Sequence, residues 1–94
     1  MRRSKKNIIY HELIGLEVMV KDHTSKSFVN LKGKVIDETM NTLVIMDSKG
    51  IRKVVPKVGG VFLFKLGDHH TVEVKGDQIM GRPEDRLKKY GGAR

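Results

Sequence analysis

The 94-residue sequence contains no cysteine, no tryptophan, two prolines and only two tyrosines and three phenylalanines. Without cysteine there is no disulfide framework, no thiolate zinc site and no cysteine nucleophile. No apolar run approaches the roughly 18 residues that cross a bilayer as a helix. The basic start, Met1 to Lys6, is not followed by the long apolar stretch of a signal peptide. The expectation is a soluble, cytoplasmic protein with no membrane partner. The scarcity of rings leaves few platforms for stacking single-stranded bases. It favours contacts to phosphates and to the shape of a folded RNA, for which Lys and Arg suffice.

Catalytic constellations are also missing. His11 and His23 are isolated, and the adjacent His69 and His70 point to opposite faces if they lie in a strand. Asp37 and Glu38 are the only close acid pair before the last helical segment, and strand neighbours point apart. The glycine-rich stretches lack the Lys-Ser/Thr of a phosphate-cradling loop. No intrinsic enzymatic activity, no metal site and no bound cofactor are expected of this chain.

What the sequence does have is positive charge at its ends. The net charge is +8, with 19 Lys and Arg against 11 Asp and Glu. Residues 1–6 carry four cations and no acid, and residues 82–94 carry five cations and two acids. Residues 7–81 carry ten cations and nine acids, so the middle of the chain is close to neutral. A near-neutral body with basic ends suits a polyanion, because each phosphate contact releases counterions.

Periodicity gives the architecture. Alternation marks strands at residues 16–21, from Leu31 to Asp37 or Thr39, and at 71–75. Residues 51–55 form another, stopped by Pro56. Thr42–Met46 and residues 61–66 are apolar enough for strands, the former expected to be buried on both faces. Met40-Asn41 suits a tight turn, since Asn tolerates a positive φ. Residues 7–14 read as a short helix or turn capped by Asn7 and ended by Gly15. Residues 83–90 read as a short helix, with Pro first, acids in its first turn and bases in its last. About six short strands with a short helix at each end imply a mainly β fold, a small bent antiparallel barrel. The organisation is a basic arm at 1–6, a barrel with its leading helix at 7–81, and a basic helix and tail at 82–94.

Three stretches in this order carry a resemblance: His11-Glu12-Leu13-Ile14-Gly15-Leu16; Gly33 through Leu43; and Val74-Lys75-Gly76 followed by Gly81-Arg82-Pro83-Glu84-Asp85-Arg86-Leu87. From about Asn7 to Lys89 the chain resembles the archaeal ribonuclease P protein component 1 family, related to the eukaryotic Pop-four/Rpp-twenty-nine subunit. The resemblance implies an Sm-like or SH3-like barrel and a non-catalytic protein subunit of ribonuclease P. That ribonucleoprotein removes the 5′ leader from precursor tRNA with a magnesium-using RNA. It also implies ribonuclease P RNA, precursor tRNA and a second, zinc-ribbon protein subunit as partners.

The candidate RNA-contacting residues are Arg2, Arg3, Lys5, Lys6, Arg82, Arg86, Lys88 and Lys89, with Lys32, Lys34 and Lys75 on the barrel. Arg82 and Arg86 have a competing local role, pairing with Glu84 or Asp85. Ile8, Ile9 and Leu13 either meet a protein partner or plug one end of the barrel. Two other readings are an Sm-type homo-oligomeric RNA chaperone and a ribosomal or translation-factor barrel. Asp37-x-x-Met40-Asn41 and Val74-Lys75-Gly76 resemble the Sm motifs, with Lys75 where Arg is usual.

Overall fold

The structure is a computed structural model that describes residues 13–67 and 70–86, with Pro83 and Glu84 described by backbone alone. Six strands form it: β1 (Glu17–His23), β2 (Lys32–Glu38), β3 (Thr42–Met46), β4 (Arg52–Pro56), β5 (Gly60–Leu66) and β6 (His70–Lys75). Pro83–Arg86 is helical (α1), and the remainder of the expected helix, residues 87–90, lies outside the described residues. All pairings are antiparallel, in the order β4-β3-β2-β1-β5-β6.

Two of the hairpin turns have a visible chemical cause. Asp47 Oδ1 accepts from the amides of Lys49 and Ile51, and Gly50 takes φ +80°, which closes β3 onto β4. The β2–β3 turn does not use a positive φ at Asn41. Instead Thr39 Oγ1 accepts from the Thr42 amide at 3.0 Å, and the two threonine hydroxyls meet at 2.6 Å. A threonine hydroxyl closes the turn locally, so no left-handed residue is required.

One face of every strand enters a common core. Val18, Val20, Val35, Leu43, Ile45, Val55, Phe62, Phe64, Leu66, Val72 and Val74 are buried, joined by Leu13, Leu16 and Ile79. The Phe62 and Phe64 rings lie 6.2 Å apart. Strand β3 buries Leu43 and Ile45 but leaves Thr42, Val44 and Met46 half-buried, so it alternates and is not buried on both faces.

The sheet coils until its two edges approach without pairing as strands. A Cβ on Gly76, just after β6, would lie 1.5 Å from the carbonyl oxygen of Lys57, just after β4. Only glycine permits that crossing. Gly33 serves the same end within β2, where a Cβ would lie 2.2 Å from the Met46 carbonyl oxygen. The result is an open barrel whose gap is spanned at Lys57 and Gly76.

Leu13 is fully buried. The Gly15 amide donates to the Val35 carbonyl at 2.7 Å, and Val35 donates back to Leu16 at 3.0 Å. These bonds tie the turn at 13–16 to the barrel and make Leu13 part of the core. This corrects its assignment to a partner surface: burying it removes it from any docking face. Ile8, Ile9 and the rest of the expected first helix lie outside the described residues.

Truncating Leu13 to Ala should cost about 2–5 kcal/mol, the usual range for a fully buried leucine. Met40→Ala, at a residue 52% exposed, should change stability by no more than about 0.5 kcal/mol. Denaturant unfolding of the two variants measures the contrast.

Candidate nucleic-acid interface

The strand pairing places outward-facing residues in rows across the sheet. One row runs Lys65, Glu17, Lys34, Met46, Arg52 over β5, β1, β2, β3 and β4. Lys65 and Arg52 each lie two strands from Lys34, or about 10 Å at ordinary strand spacing. Glu17 is the row's one acid and sits 3.7 Å from the Lys65 ammonium. The neighbouring row adds Lys32 opposite Met19. Lys32, Lys34 and Arg52 are exposed and have no ion-pair partner among the described residues. Lys75, at the end of β6, and Arg82, at the entry to α1, are also exposed. Thus four of the expected contact residues, Lys32, Lys34, Lys75 and Arg82, present their side chains to solvent. The fold adds Lys65 and Arg52, which join Lys34 only once the register is known. Arg2, Arg3, Lys5, Lys6, Lys88 and Lys89 lie outside the described residues.

Arg86 behaves differently. It is 1% exposed, and its guanidinium points into the barrel. Its Nη1 donates to Glu38 Oε2, to the Gly81 carbonyl at 2.7 Å and to the Ile79 carbonyl at 3.3 Å. Among the described residues its ion-pair partner is Glu38, 48 residues away in sequence, and not the neighbouring Asp85. A buried guanidinium held in this way cannot reach a phosphate, so Arg86 is not an RNA contact.

Lys57 completes the cluster. Its ammonium donates to Glu38 Oε2 at 2.7 Å, to the Thr39 and Gly81 carbonyls at 2.9 Å each, and to the Met40 carbonyl at 3.3 Å. All three charged side chains are fully buried. Burial pushes the Lys57 pKa down, against the pull of the Glu38 carboxylate. The other carboxylate oxygen of Glu38 has no hydrogen-bond partner among the described residues. Sequence spacing gave no sign of this cluster, because its members are brought together only by the β2–β3 turn and the crossing at Gly76.

His23 is likewise buried, although its isolation in the sequence gave no sign of it. Its Nδ1 accepts from the Ser25 amide at 2.9 Å, which leaves Nε2 to donate to the Pro56 carbonyl, also at 2.9 Å. The ring meets Phe28 edge-on at 5.2 Å. This histidine has a structural role at the end of β4. Among the described residues, no group of three or more His, Asp or Glu side chains is placed to hold a metal ion. No helix there is long and apolar enough to cross a membrane. Among the described residues, the large apolar side chains that are exposed are Ile14, Met40, Ile51, Val54 and Val58.

Comparison with known proteins identifies the lineage. The profile of the family described as ribonuclease P/MRP, subunit p29, matches residues 6–89. The chain belongs to this family. Ribonuclease P protein component 1 of Staphylothermus marinus is 51% identical over 88 residues, covering 94% of this chain and 96% of that protein. The Methanocaldococcus jannaschii protein of the same name is 51% identical over 83 residues, covering 88% and 86%. A solved structure, that of Mth11, described as a homologue of human RNase P protein Rpp29, superposes with a TM-score of 0.59 at 39% identity. That match covers 81% of this chain and 97% of Mth11. This p29-family chain thus carries both an exposed cationic row and a buried ionic cluster on its β-barrel.

Replacing Glu38 by Gln should destabilise the barrel by about 3–5 kcal/mol, because two buried cations lose their counter-charge. Asp37→Asn, next door but exposed, should change stability far less. Lys57 adds a pH signature. Because its pKa is lowered in the folded state from 10.5, the unfolded chain holds more protons between that lowered value and 10.5. The Lys57 contribution to stability should therefore rise with pH across that window. Lys57→Met should lose this component, as measured by denaturation at a series of alkaline pH values.

Proposed function

We propose that this chain is a non-catalytic, RNA-binding subunit of ribonuclease P that supports the fold of the RNA subunit and its hold on precursor tRNA. The observation that carries the reading is the exposed cationic row Lys65, Lys34 and Arg52, with Lys32 beside it, on a member of the p29 family. Placing precursor tRNA against a catalytic RNA brings two polyanions together. Fixed cations on a rigid sheet screen that repulsion and lower the demand for magnesium. The chemistry is assigned to the RNA and its magnesium, and this chain is given no cofactor of its own. In this reading Lys75 and Arg82, and the basic residues Arg2, Arg3, Lys5, Lys6, Lys88 and Lys89, are further phosphate contacts.

The same reading gives the chain a second protein partner, a zinc-ribbon subunit with which it forms a heterodimer, and a cytoplasmic location. Ile8 and Ile9 remain the apolar candidates for that contact.

The test is RNA affinity as a function of salt. Binding of the full chain to a folded ribonuclease P RNA transcript should weaken steeply with salt. Charge reversal at Lys32 and Lys34 should flatten the plot of log affinity against log salt by about 0.7–0.9 for each phosphate that is no longer neutralised. The fold should persist, since neither side chain is buried. An unchanged slope in a folded variant removes β2 from the interface. Absence of salt-dependent binding by the wild-type chain overturns the RNA-binding reading.

A further inference from the structure

The seam at which the open barrel closes carries more positive charge than its described carboxylates neutralise. Inside it, Lys57 and Arg86 share the single carboxylate of Glu38. On its surface, Arg82 is exposed and has no ion-pair partner among the described residues. Asp85 is also exposed and pairs with neither arginine. Burial is the main cause of the lowered Lys57 pKa, and repulsion from Arg86 and Arg82 adds to it. The Arg82 charge is therefore felt inside the cluster. Three cations meet one carboxylate here, and charges this deep are screened by salt much less than surface charges are.

The backbone on both sides of the Arg82 side chain is fixed. Gly81 takes φ +89°. Its amide donates to the Met40 carbonyl at 2.8 Å. Its carbonyl accepts from both Lys57 Nζ at 2.9 Å and Arg86 Nη1 at 2.7 Å. The Arg82 carbonyl accepts from the amides of Asp85 and Arg86 at 2.9 Å each. An arginine whose root is fixed loses less freedom on meeting an anion than one on a free arm. Its planar fork suits two oxygens of one phosphate. We propose that Arg82 binds an RNA phosphate, which supplies the counter-charge this seam lacks, and that Lys57 and Arg86 are its positioning residues, holding the Gly81 carbonyl from inside the barrel. This rests on the RNA-binding reading above, and it gives Lys57 and Arg86 a role without contact to RNA.

The experiment pairs two measurements on full-length variants: the salt slope of binding to the same ribonuclease P RNA transcript, and denaturant unfolding of the RNA-free chain at low salt. Arg82→Gln should lower the slope by about 0.7–0.9, the value of one phosphate contact. Its stability should equal or exceed that of the wild type, because a cation that repels Lys57 is gone. Lys57→Met removes one tether of Gly81 and leaves the Glu38–Arg86 pair. In that background Arg82→Gln should weaken RNA binding by a smaller factor than in the wild type. Arg86→Lys keeps the buried charge and loses the fork, and it should shrink the Arg82 effect in the same way even if Lys57→Met does not fold. A loss of stability in Arg82→Gln would show that the guanidinium is already paired in the free chain, and a wild-type slope would show that no phosphate reaches it. Either result overturns the site alone. An undiminished Arg82 effect in the folded backgrounds overturns the positioning role of Lys57 and Arg86. A wild-type chain that binds this RNA without salt dependence overturns the RNA-binding reading and the site together.

Discussion

The Glu38 carboxylate, held between two buried cations, is the constraint on which the rest of the barrel depends. One oxygen accepts from both Lys57 and Arg86. Those three residues come from β2, from the segment after β4 and from α1. Through them the open edge of the barrel, the β2–β3 turn and the C-terminal turn share one anchoring point. Such a cluster is weak evidence for net stability, because desolvating three charges offsets most of their attraction. Its consequence is specificity of placement: no other residue among those described offers a buried counter-charge to either cation.

The division between buried and exposed charge organises the molecule. Cations that face inward share one carboxylate and a set of backbone carbonyls, and they fix the fold. Those that face outward, at Lys32, Lys34, Arg52 and Lys65, sit on rigid strands in a register the hydrogen-bond ladder sets. A rigid sheet is a better platform for a folded polyanion than a flexible loop, because the spacing of its charges is already determined. The shortage of aromatic residues is consistent with this. Phe62 and Phe64 are core residues, and Phe28 packs against His23 and the core, so they leave recognition to charge and shape.

Strand positions were legible in the sequence because period-2 alternation reports burial directly, as at Val18 and Val20 or Val72 and Val74. The misplaced residues lie where the alternation breaks. A bulge between Val35 and Asp37 shifts the phase of β2, so Asp37 turns outward and Glu38 turns in. A bulge between Val20 and Asp22 does the same in β1 and buries His23. A bulge cannot be read from hydrophobic pattern when the residues it redirects are polar. Arg86 reads as an RNA contact in the sequence because a basic residue in a short terminal helix normally faces solvent, and nothing local marks its partner 48 residues away. Lys32, Lys34, Lys75 and Arg82 were legible as exposed because they alternate with, or lie outside, the apolar pattern. Arg52 and Lys65 joined them only through the strand order.

The most direct test of the account is to purify the tagged full-length chain with its bound components from its own cells, sequence the RNA it carries and assay the eluate on precursor tRNA. The account predicts one stable structured RNA and 5′-leader cleavage that disappears when that RNA is destroyed. Cleavage that survives destruction of the RNA, or an eluate of ribosomal or assorted short RNAs without leader cleavage, would contradict it.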